Sequence, residues 1–361
     1  MGFNPIYLYF YWYKTVPIGG KLTMPENKMQ YSDKINELLN EMPEFVSDFI
    51  YNFGRVENYA TKLEYCRDIK VYLEYIVSYL PKHCDKNIKE LSIDDVANVE
   101  ILDINRFLTT LSGNHKESTV KRKRASLSSM YGFFVATGKM PRNPIAATKT
   151  IKIPSKDVIY LTNQEQRVLL DTVRHGTNLH DSVAKVHYIY ADRDSAMFLL
   201  LLDTGLRVSE MLDTDIIDYN FEECSVVVTR KGGDTQTIYY SDECRDYLEI
   251  YFTSQKAKFG LSSKNLKFPA FTTTTGNRLG VRAVEILVKK YVSVCLPEKT
   301  RIISPHKLRS SFAMSFYAAS DNDILLLKKK MNHKSIQTTN IYAKASDTAM
   351  KESRSLLQGL R

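Results

Sequence analysis

The feature that most constrains the fold is a change in the spacing of apolar residues partway along the chain. Over residues 31–140, apolar side chains recur every three or four positions, as in EFVSDFIYNF (44–53) and ATKLEYCRDIKVYLEYIVSYL (60–80). This spacing is typical of amphipathic helices. Beyond residue 160, helical segments alternate with β-branched runs. We therefore expect a helical domain followed by a domain of mixed helices and strands.

The helical domain is predicted to cover residues 31–144. SIDDVANVEILDINRFLTTL (92–111) reads as one helix, with Ser92 as its cap and a Ser-Gly-Asn turn after it. A further helix in 116–140 carries a basic, serine-containing segment, and cations and hydroxyls are the groups that bind DNA phosphates. We expect this segment to contact DNA through five residues: Lys121, Arg122, Lys123, Arg124 and Ser126.

A linker is predicted at 145–160, where prolines and lysines interrupt the periodicity. Thr162 then suits a helix cap, and RDSAMFLLLLDTG (193–205) suits a buried helix closed by a glycine. CSVVVTRKGGDTQTIYY (224–240) has two β-branched runs around Gly-Gly-Asp, which predicts a hairpin. Helices are expected at about 243–256, 281–294, 306–319 and 322–332. The fold class is thus mainly α, with a small β-sheet in the second domain.

Charge and cysteine content narrow the functional classes. The formal net charge is +9, which favours a polyanionic partner such as nucleic acid. The five cysteines are scattered and form no CxxC pair, which argues against a disulfide framework or a zinc site and fits a reducing cytoplasm. The aromatic run near the start is too short for a membrane span. We expect residues 1–30 to be a poorly ordered extension.

Four segments of the second domain carry side chains that suit one reaction. DTGLRVSEML (203–212) supplies Arg207, and VVVTRKGGD (226–234) supplies Lys231. HKLRSSFAMSFY (306–317) supplies His306 and Arg309, one helical turn apart. MNHKSIQTTNIYAKAS (331–346) supplies His333 and, nine positions later, Tyr342. Each residue alone has an ordinary structural explanation, whereas the set in this order does not.

The set suits attack of a hydroxyl on a DNA phosphodiester. Two arginines can bind the non-bridging oxygens, and a histidine can add a hydrogen bond or accept the proton of the nucleophile. A phenol can serve as a covalent nucleophile, and a lysine on a hairpin can protonate the departing oxygen. No acidic cluster with magnesium spacing accompanies these segments, so no metal or other cofactor is expected.

The four segments resemble the motifs of the tyrosine recombinase (phage integrase) family. TGLRVSE is similar to the first arginine box, HKLR to the His-x-x-Arg box, and NHKSIQTTNIYA to the histidine-to-tyrosine box. Asn332 stands where the family usually has glycine, and asparagine tolerates the left-handed conformation needed there. The resemblance implies a phosphate-activating set and a nucleophile, Tyr342. That set is Arg207, Lys231, His306, Arg309 and His333.

The family resemblance covers roughly residues 31–361 and is strongest to the Xer group, in particular the single-recombinase XerS type. It implies a helical core-binding domain, a catalytic domain at 161–347 and a tail at 348–361 that contacts a neighbouring subunit. The implied function is site-specific recombination through a 3′-phosphotyrosyl intermediate and a Holliday junction, by a homotetramer in the bacterial cytoplasm at the nucleoid. Whether accessory proteins take part stays open, and no membrane partner is expected.

The biological role and two rival functions stay open at this point. Chromosome-dimer resolution and integration or excision of a mobile element both fit the motifs. A type IB topoisomerase shares the chemistry but needs no sequence preference. A non-catalytic DNA-binding regulator could use the same fold, although the six intact positions speak against it.

Overall fold

The computed structural model describes residues 26–54, 59–148, 157–230, 233–262, 267–333 and 335–346. The chain divides into two compact units, Met1–Ser155 and Lys156–Arg361, called here the helical unit and the mixed unit. Of the predicted extension at 1–30, residues 1–25 lie outside the described residues, and the first helix begins at Glu26. The predicted tail at 348–361 and half of the predicted linker, residues 149–156, also lie outside them. None of the helices in the described ranges is long and apolar enough to cross a bilayer.

The described part of the helical unit consists of α-helices joined by short turns and two 3₁₀ segments. The α-helices are α1 (Glu26–Asn40), α2 (Glu44–Asn52), α3 (Tyr59–Tyr79), α4 (Ile93–Ala97), α5 (Ile101–Asn114) and α6 (Glu117–Ala136). They enclose a continuous apolar core in which α3 and α6 contribute the fully buried Tyr72 and Tyr131. The hydroxyls of these tyrosines are 2.8 Å apart, and Tyr131 also donates to the carbonyl of Val96 at 2.9 Å. The helical character predicted for this half is confirmed.

The single helix predicted at 92–111 is wrong, because the segment forms α4 and α5. Ser92 does cap α4, and its hydroxyl accepts a hydrogen bond from the Asp95 amide at 3.1 Å. The break follows because Val99 turns into the core while Glu100, with φ −73° and ψ 148°, is extended. Helix α5 then continues through the Ser-Gly-Asn sequence to Asn114, where a turn was expected.

The mixed unit places one small sheet among helices. The helices are α7 (Asn163–His175), α8 (Asp181–Thr204), α9 (Val208–Leu212), α10 (Asp242–Phe259), α11 (Val281–Cys295), α12 (Pro305–Ala319), α13 (Ile324–Met331) and α14 (Ile336–Ala345). The antiparallel sheet has the order β1 (Tyr219–Asn220), β2 (Ser225–Thr229) and β3 (Thr235–Tyr239). The fold class, mainly α with a small sheet in the second half, is confirmed.

Helix α8 is the central element of the mixed unit. Its C-terminal half, from Ala196 to Leu202, is buried against the surrounding helices. Gly205 ends the helix with φ +63°, in the left-handed region that glycine adopts at little cost. A Cβ at Gly205 would lie 2.2 Å from Cδ1 of Phe312, so α8 and α12 approach closely at this turn. This contact brings the segment after α8 next to α12.

Candidate active site

Helix α12 presents His306 and Arg309 on adjacent turns. The helix starts with Pro305 at its first position, where a missing N–H costs no hydrogen bond. His306 lies at the surface, whereas Arg309 is only 4% exposed. Nη2 of Arg309 donates to the carbonyl of Met331 at 2.6 Å, and Nη1 donates to the carbonyl of Gly205. The guanidinium therefore joins the ends of α8 and α13 to α12, and it does so without a carboxylate.

Arg207 lies at the start of α9, two residues after the Gly205 turn. Its backbone N–H donates to Oε2 of Glu210 at 3.1 Å, and its Nη1 donates to Oε1 at 2.6 Å. The Arg207 side chain remains 42% exposed, while that of Glu210 is 5% exposed. A buried carboxylate thus orients an arginine whose guanidinium still faces solvent.

Arg230, at the end of β2, binds the same carboxylate from the other side. Its Nη1 donates to Oε2 of Glu210, and both side chains are 5% exposed. Burial alone would raise the pKa of Glu210, but the hydrogen bonds from Arg207 and the charge of Arg230 lower it. Glu210 is therefore a charged carboxylate shared by two arginines.

His333 and Tyr342 are brought together by a turn and a short helix. Asn332 ends α13 with φ 49° and ψ 49°, so the left-handed conformation predicted for this position is confirmed. Nδ1 of His333 lies 3.0 Å from Oγ1 of the buried Thr339. The rings of His333 and Tyr342 are stacked, with centroids 6.4 Å apart and an interplanar angle of 9°. Tyr342 is 4% exposed and belongs to an apolar cluster with Phe312.

The electrostatics couple these side chains. Burial lowers the pKa of His333 to about 4, and the positive charges of Arg309, Arg207 and His306 act in the same direction. Burial, followed by the charge of Arg207, lowers the pKa of Arg309 to about 10. Burial raises the pKa of Tyr342, against a hydrogen bond from Ser310 and the charge of Arg309. All of these groups therefore lie within electrostatic reach of one another.

The positive charges in the cluster around Glu210 outnumber the negative ones. Among the described contacts of Arg207, Arg230 and Arg309, Glu210 is the one carboxylate, and the partners of Arg309 are carbonyls. A cluster with surplus positive charge and one exposed arginine is suited to bind an anion. A phenol and a neutral imidazole beside it supply a nucleophile and a group that can accept its proton.

The structure brings together five of the six predicted site residues: Arg207, His306, Arg309, His333 and Tyr342. Lys231 lies outside the described residues, although Arg230 and Gly233 on either side of its loop are described. Sequence reasoning missed Glu210 and Arg230. Glu210 was present in the TGLRVSE segment, and its three-residue spacing from Arg207 on a helix start was the available signal.

The five residues predicted to contact DNA have different environments on α6. Lys121 is exposed, whereas Lys123 and Ser126 are buried. Lys123 Nζ donates to Oδ1 of Asp68 at 3.0 Å, and Ser126 Oγ donates to Oδ2 at 2.7 Å. This placement argues against DNA contacts by Lys123 and Ser126, because both are engaged inside the helical unit.

Arg122 and Arg124 are half-buried. Arg122 pairs with Asp68 and, at 3.2 Å, with Oε2 of Glu64. Arg124 donates to Oγ1 of Thr148 at 2.9 Å and to the carbonyl of Ile145 at 2.8 Å. Both arginines therefore have structural partners in the helical unit, although the Arg122 side chain is still 40% exposed. Lys121 is the one of the five that is exposed as a whole residue.

Comparison with known families gives the class of the mixed unit. Residues 177–349 match the model of the phage integrase family. The mixed unit therefore contains a phage integrase family domain, and the six positions that the motif resemblance assigned lie within the matched residues. The tyrosine recombinases XerC and XerS, which are similar to this chain, are DNA strand-exchange enzymes.

The relatives place the chain among homologues of the Xer recombinases. It is 27% identical over 325 residues to tyrosine recombinase XerC of Caldanaerobacter subterraneus subsp. tengcongensis, covering 86% of this chain and 85% of that protein. It is 25% identical over 340 residues to tyrosine recombinase XerS of Streptococcus thermophilus, covering 86% and 94%. The resemblance to the Xer group is confirmed.

Two solved structures show the same fold. XerH site-specific recombinase, crystallised with palindromic difH substrate, has a TM-score of 0.64 at 16% identity, over 96% of this chain and 93% of that chain. The Tn1549 transposon integrase, in complex with a circular intermediate DNA, has a TM-score of 0.63 at 17% identity, over 87% and 99%.

Proposed function

We propose that the protein cuts and rejoins duplex DNA at a specific site through a covalent bond to Tyr342. In this proposal Arg207 and Arg309 bind the two non-bridging oxygens of the scissile phosphate. His306 donates a hydrogen bond to the same phosphate, and neutral His333 accepts the phenolic proton. Lys231 protonates the departing 5′-oxygen.

The observation that carries the proposal is the surplus of positive charge next to a buried phenol. Arg309 is buried without a carboxylate, and its pKa is lowered because burial and Arg207 disfavour its charge. A phosphate between Arg207 and Arg309 would supply the missing negative charge. Burial raises the pKa of Tyr342, so the phenol is protonated before attack and its proton has to pass to a base such as His333.

The finer steps follow from family chemistry. Attack by Tyr342 forms a 3′-phosphotyrosyl bond and releases a 5′-hydroxyl, and a 5′-hydroxyl from a partner duplex reverses the step. Exchange of strands in pairs produces a Holliday junction, which we infer forms within a homotetramer on two sites, with or without accessory proteins. We infer that recombination takes place in the bacterial cytoplasm, at the nucleoid. Chromosome-dimer resolution and mobility of an element are both compatible with them.

Duplex DNA is the proposed partner of both units. The titles of the matched structures describe XerH with difH substrate and an integrase with circular intermediate DNA. We infer that this chain grips its own site similarly, with the exposed Lys121 contributing a phosphate contact from α6. Loss of this contact in Lys121→Ala should weaken binding to all sequences alike and reduce its salt dependence.

A nicked suicide substrate tests the proposal. After attack on such DNA, the short 5′-terminal fragment diffuses away and the covalent adduct accumulates. We expect an adduct with the unmodified protein and none with Tyr342→Phe, while DNA binding stays within about threefold, because the phenolic hydroxyl reacts but does not hold the duplex. DNA from a library of genomic fragments would identify the site.

The rival functions give other outcomes. Binding without any adduct from the unmodified protein would indicate a DNA-binding regulator. Adducts spread over unrelated sequences, together with relaxation of supercoiled DNA, would indicate a topoisomerase. Adducts at one sequence, with exchange between two copies of it, would support the recombinase.

A further inference from the structure

A hydrogen bond ties His333 to the helix that carries Tyr342. Ser335, two residues after His333, caps α14. Nδ1 of His333 lies 3.0 Å from Oγ1 of Thr339, which belongs to the first turns of this helix. Tyr342 follows Thr339 by three positions, so the two side chains lie about one turn apart on α14. The histidine and the tyrosine are therefore attached to one short helix.

The contact between His333 and Thr339 lies largely in the interior. Thr339 and Tyr342 are buried, and His333 is half-buried. A threonine hydroxyl inside a helix can be satisfied by a carbonyl one turn earlier, as that of Thr172 is by Val168 at 3.0 Å. Within the described ranges, the Thr339 hydroxyl instead pairs with the imidazole. Because a buried polar group without a partner is costly, this pairing restrains the orientation of the ring.

The surroundings of His333 keep its ring neutral. Burial lowers its pKa to about 4, and the positive charges of Arg309, Arg207 and His306 act in the same direction. A neutral imidazole has one N–H and one lone pair. The two ring nitrogens point in different directions, so with Nδ1 facing Thr339, other groups can reach Nε2. The hydrogen bond to the threonine thus decides whether Nε2 carries the proton or the lone pair.

The phenolic proton needs an acceptor in the site. Glu210 is the buried carboxylate there, but both of its oxygens already accept hydrogen bonds from arginines. His306 donates to the phosphate in the proposed function. His333 is the neutral group beside the phenol, with its ring stacked on that of Tyr342. It can take the proton at Nε2 only if Nδ1 carries the N–H, and Thr339 offers the oxygen that this N–H requires.

We propose that Thr339 is a positioning residue, whose hydroxyl accepts from Nδ1–H of His333 and so leaves the lone pair on Nε2 for the phenolic proton. This inference rests on the proposed function. In the step concerned, Oη of Tyr342 forms a bond to phosphorus, and the bond from phosphorus to O5′ breaks. The phenolic proton passes to Nε2, and the resulting imidazolium still donates through Nδ1 to Thr339. The departing O5′ keeps the electron pair of the broken bond and takes up one proton from the general acid.

Nitrogen NMR of protein containing isotopically labelled histidine observes the tautomer directly. Protonated and unprotonated ring nitrogens have well-separated chemical shifts, and the signals missing from His333→Ala identify this ring. We expect a protonated Nδ1 and an unprotonated Nε2 at neutral pH. Thr339→Val keeps the shape of the side chain but removes the acceptor, so the form with the proton on Nε2 should become the major one. The reverse assignment in the unmodified protein would overturn the proposal.

Single-turnover cleavage of suicide DNA carrying the identified site measures the consequence for catalysis. Proton transfer to a positioned group contributes about 10²–10⁴-fold to rate, so His333→Ala should lose at least about 10²-fold. Thr339→Val should lose at least about tenfold, but no more than His333→Ala. Thr339→Ser keeps the hydroxyl and should restore cleavage to within about threefold of the unmodified protein. Combined with His333→Ala, Thr339→Val should have no further effect, because the threonine acts through the histidine.

Thr172→Val is the matched control, because that buried threonine on α7 donates to a carbonyl of its own helix. Its cleavage per folded molecule should match that of the unmodified protein. Equal losses from Thr339→Val with and without His333 would indicate a packing role and overturn the inference, and so would unchanged cleavage by Thr339→Val. Both outcomes leave the proposed function intact. Absence of an adduct from the unmodified protein would instead overturn the proposed function.

Discussion

Asp68 in the helical unit and Glu210 in the mixed unit are both buried carboxylates that each bind two cationic side chains. Asp68 is 0% exposed at its side chain and binds Arg122 and Lys123, and Arg122 also reaches Glu64. Each cation there is paired with a carboxylate, including Arg67, which binds Glu64 at the surface. Glu210 binds Arg207 and Arg230, with the buried Arg309 within electrostatic reach. The cations around Glu210 outnumber the carboxylates.

This difference indicates that the cluster around Asp68 has a structural role, whereas the cluster around Glu210 is suited to bind an anionic ligand. A balanced buried cluster satisfies its own charges, and its removal should cost stability alone. A cluster with surplus cations is less stable without an anion, and it can bind a phosphate strongly because the donors are already oriented. Proteins often give up stability at functional sites in this way. The variants below distinguish the two clusters, in order of decreasing expected effect.

Asp68→Asn should have the largest effect, on stability. Loss of the carboxylate leaves Lys123 as an unpaired buried cation, which costs about 3–5 kcal/mol in free energy of unfolding. Denaturant unfolding measures this cost, and cleavage per folded molecule should stay within about threefold of the unmodified protein. Asp48→Asn is the matched control, because that side chain is 47% exposed with one partner, Lys139 at 3.0 Å, and exposed pairs contribute about 0–1 kcal/mol.

Asp68→Asn/Lys123→Met removes both charges. It should recover at least half of the lost stability, since no unpaired charge remains in the core. No recovery would mean that the Asp68 contacts stabilise the unit by some means other than charge neutralisation.

Arg309→Met should have the opposite effect to Asp68→Asn: a large loss of cleavage rate and a small loss of stability. Removal of one preorganised donor at a site of developing charge costs about 10²–10³-fold in rate, and single-turnover cleavage of suicide DNA measures it. The free energy of unfolding should change by less than about 2 kcal/mol, because the loss of two hydrogen bonds to carbonyls is offset by the removal of a buried cation. A stability loss as large as that of Asp68→Asn would show that Arg309 is a structural residue.

Gly205→Ala should have an intermediate effect on both stability and cleavage rate. The left-handed conformation costs a non-glycine residue about 1–2 kcal/mol, and the new Cβ would displace Phe312, which its ideal position approaches to 2.2 Å. Because the carbonyl of Gly205 accepts from Arg309, the same shift should lower the cleavage rate. Gly113→Ala is the control, because nothing lies within 4 Å of its Cβ position. Unchanged cleavage by Gly205→Ala would show that the Gly205 turn does not position Arg309 for catalysis.

The smallest expected effect is a dependence of stability on pH through His333. Its pKa is about 4 in the folded protein against an ordinary value of 6.5, so the unfolded chain binds a proton that the folded chain does not. Stability therefore falls as the pH drops below about 6.5, and the contribution of this group is about 1 kcal/mol between pH 7.5 and 5.5. Over the same pH interval, the free energy of unfolding of His333→Asn should fall by about 1 kcal/mol less than that of the unmodified protein. An identical pH dependence in both proteins would contradict the lowered pKa.

Much of the mixed unit could be predicted from sequence, because local signals specify it. Thr162 caps α7 as expected, and the β-branched runs around Gly-Gly-Asp form the β2–β3 hairpin. The motif resemblance, in which Asn332 stands where the family usually has glycine, also predicted its left-handed turn. Each of these features depends on a few neighbouring residues, so reading the local pattern was sufficient.

The pairings that orient the site could not be read in this way. Arg230 meets Glu210 across 20 positions, and this contact depends on how the sheet packs on α9. The error at Ser126 has a different cause, since Lys123 and Ser126 share the helix face of Val120 and Leu127, as helical spacing could have shown. Helical spacing could not reveal the partner of these two side chains. That partner is Asp68, more than 50 positions away, whose hydrogen bonds compensate for the burial of Lys123 and Ser126.

Cleavage of a DNA site whose scissile phosphate is a methylphosphonate tests the central claim most directly. Replacement of one non-bridging oxygen by methyl removes the negative charge that Arg309 is proposed to neutralise. If surplus positive charge acts on that phosphate, Arg309→Met should cleave the neutral site within about tenfold of the unmodified protein, although it loses about 10²–10³-fold on the charged site. An equal loss on the charged and the neutral site would contradict the account.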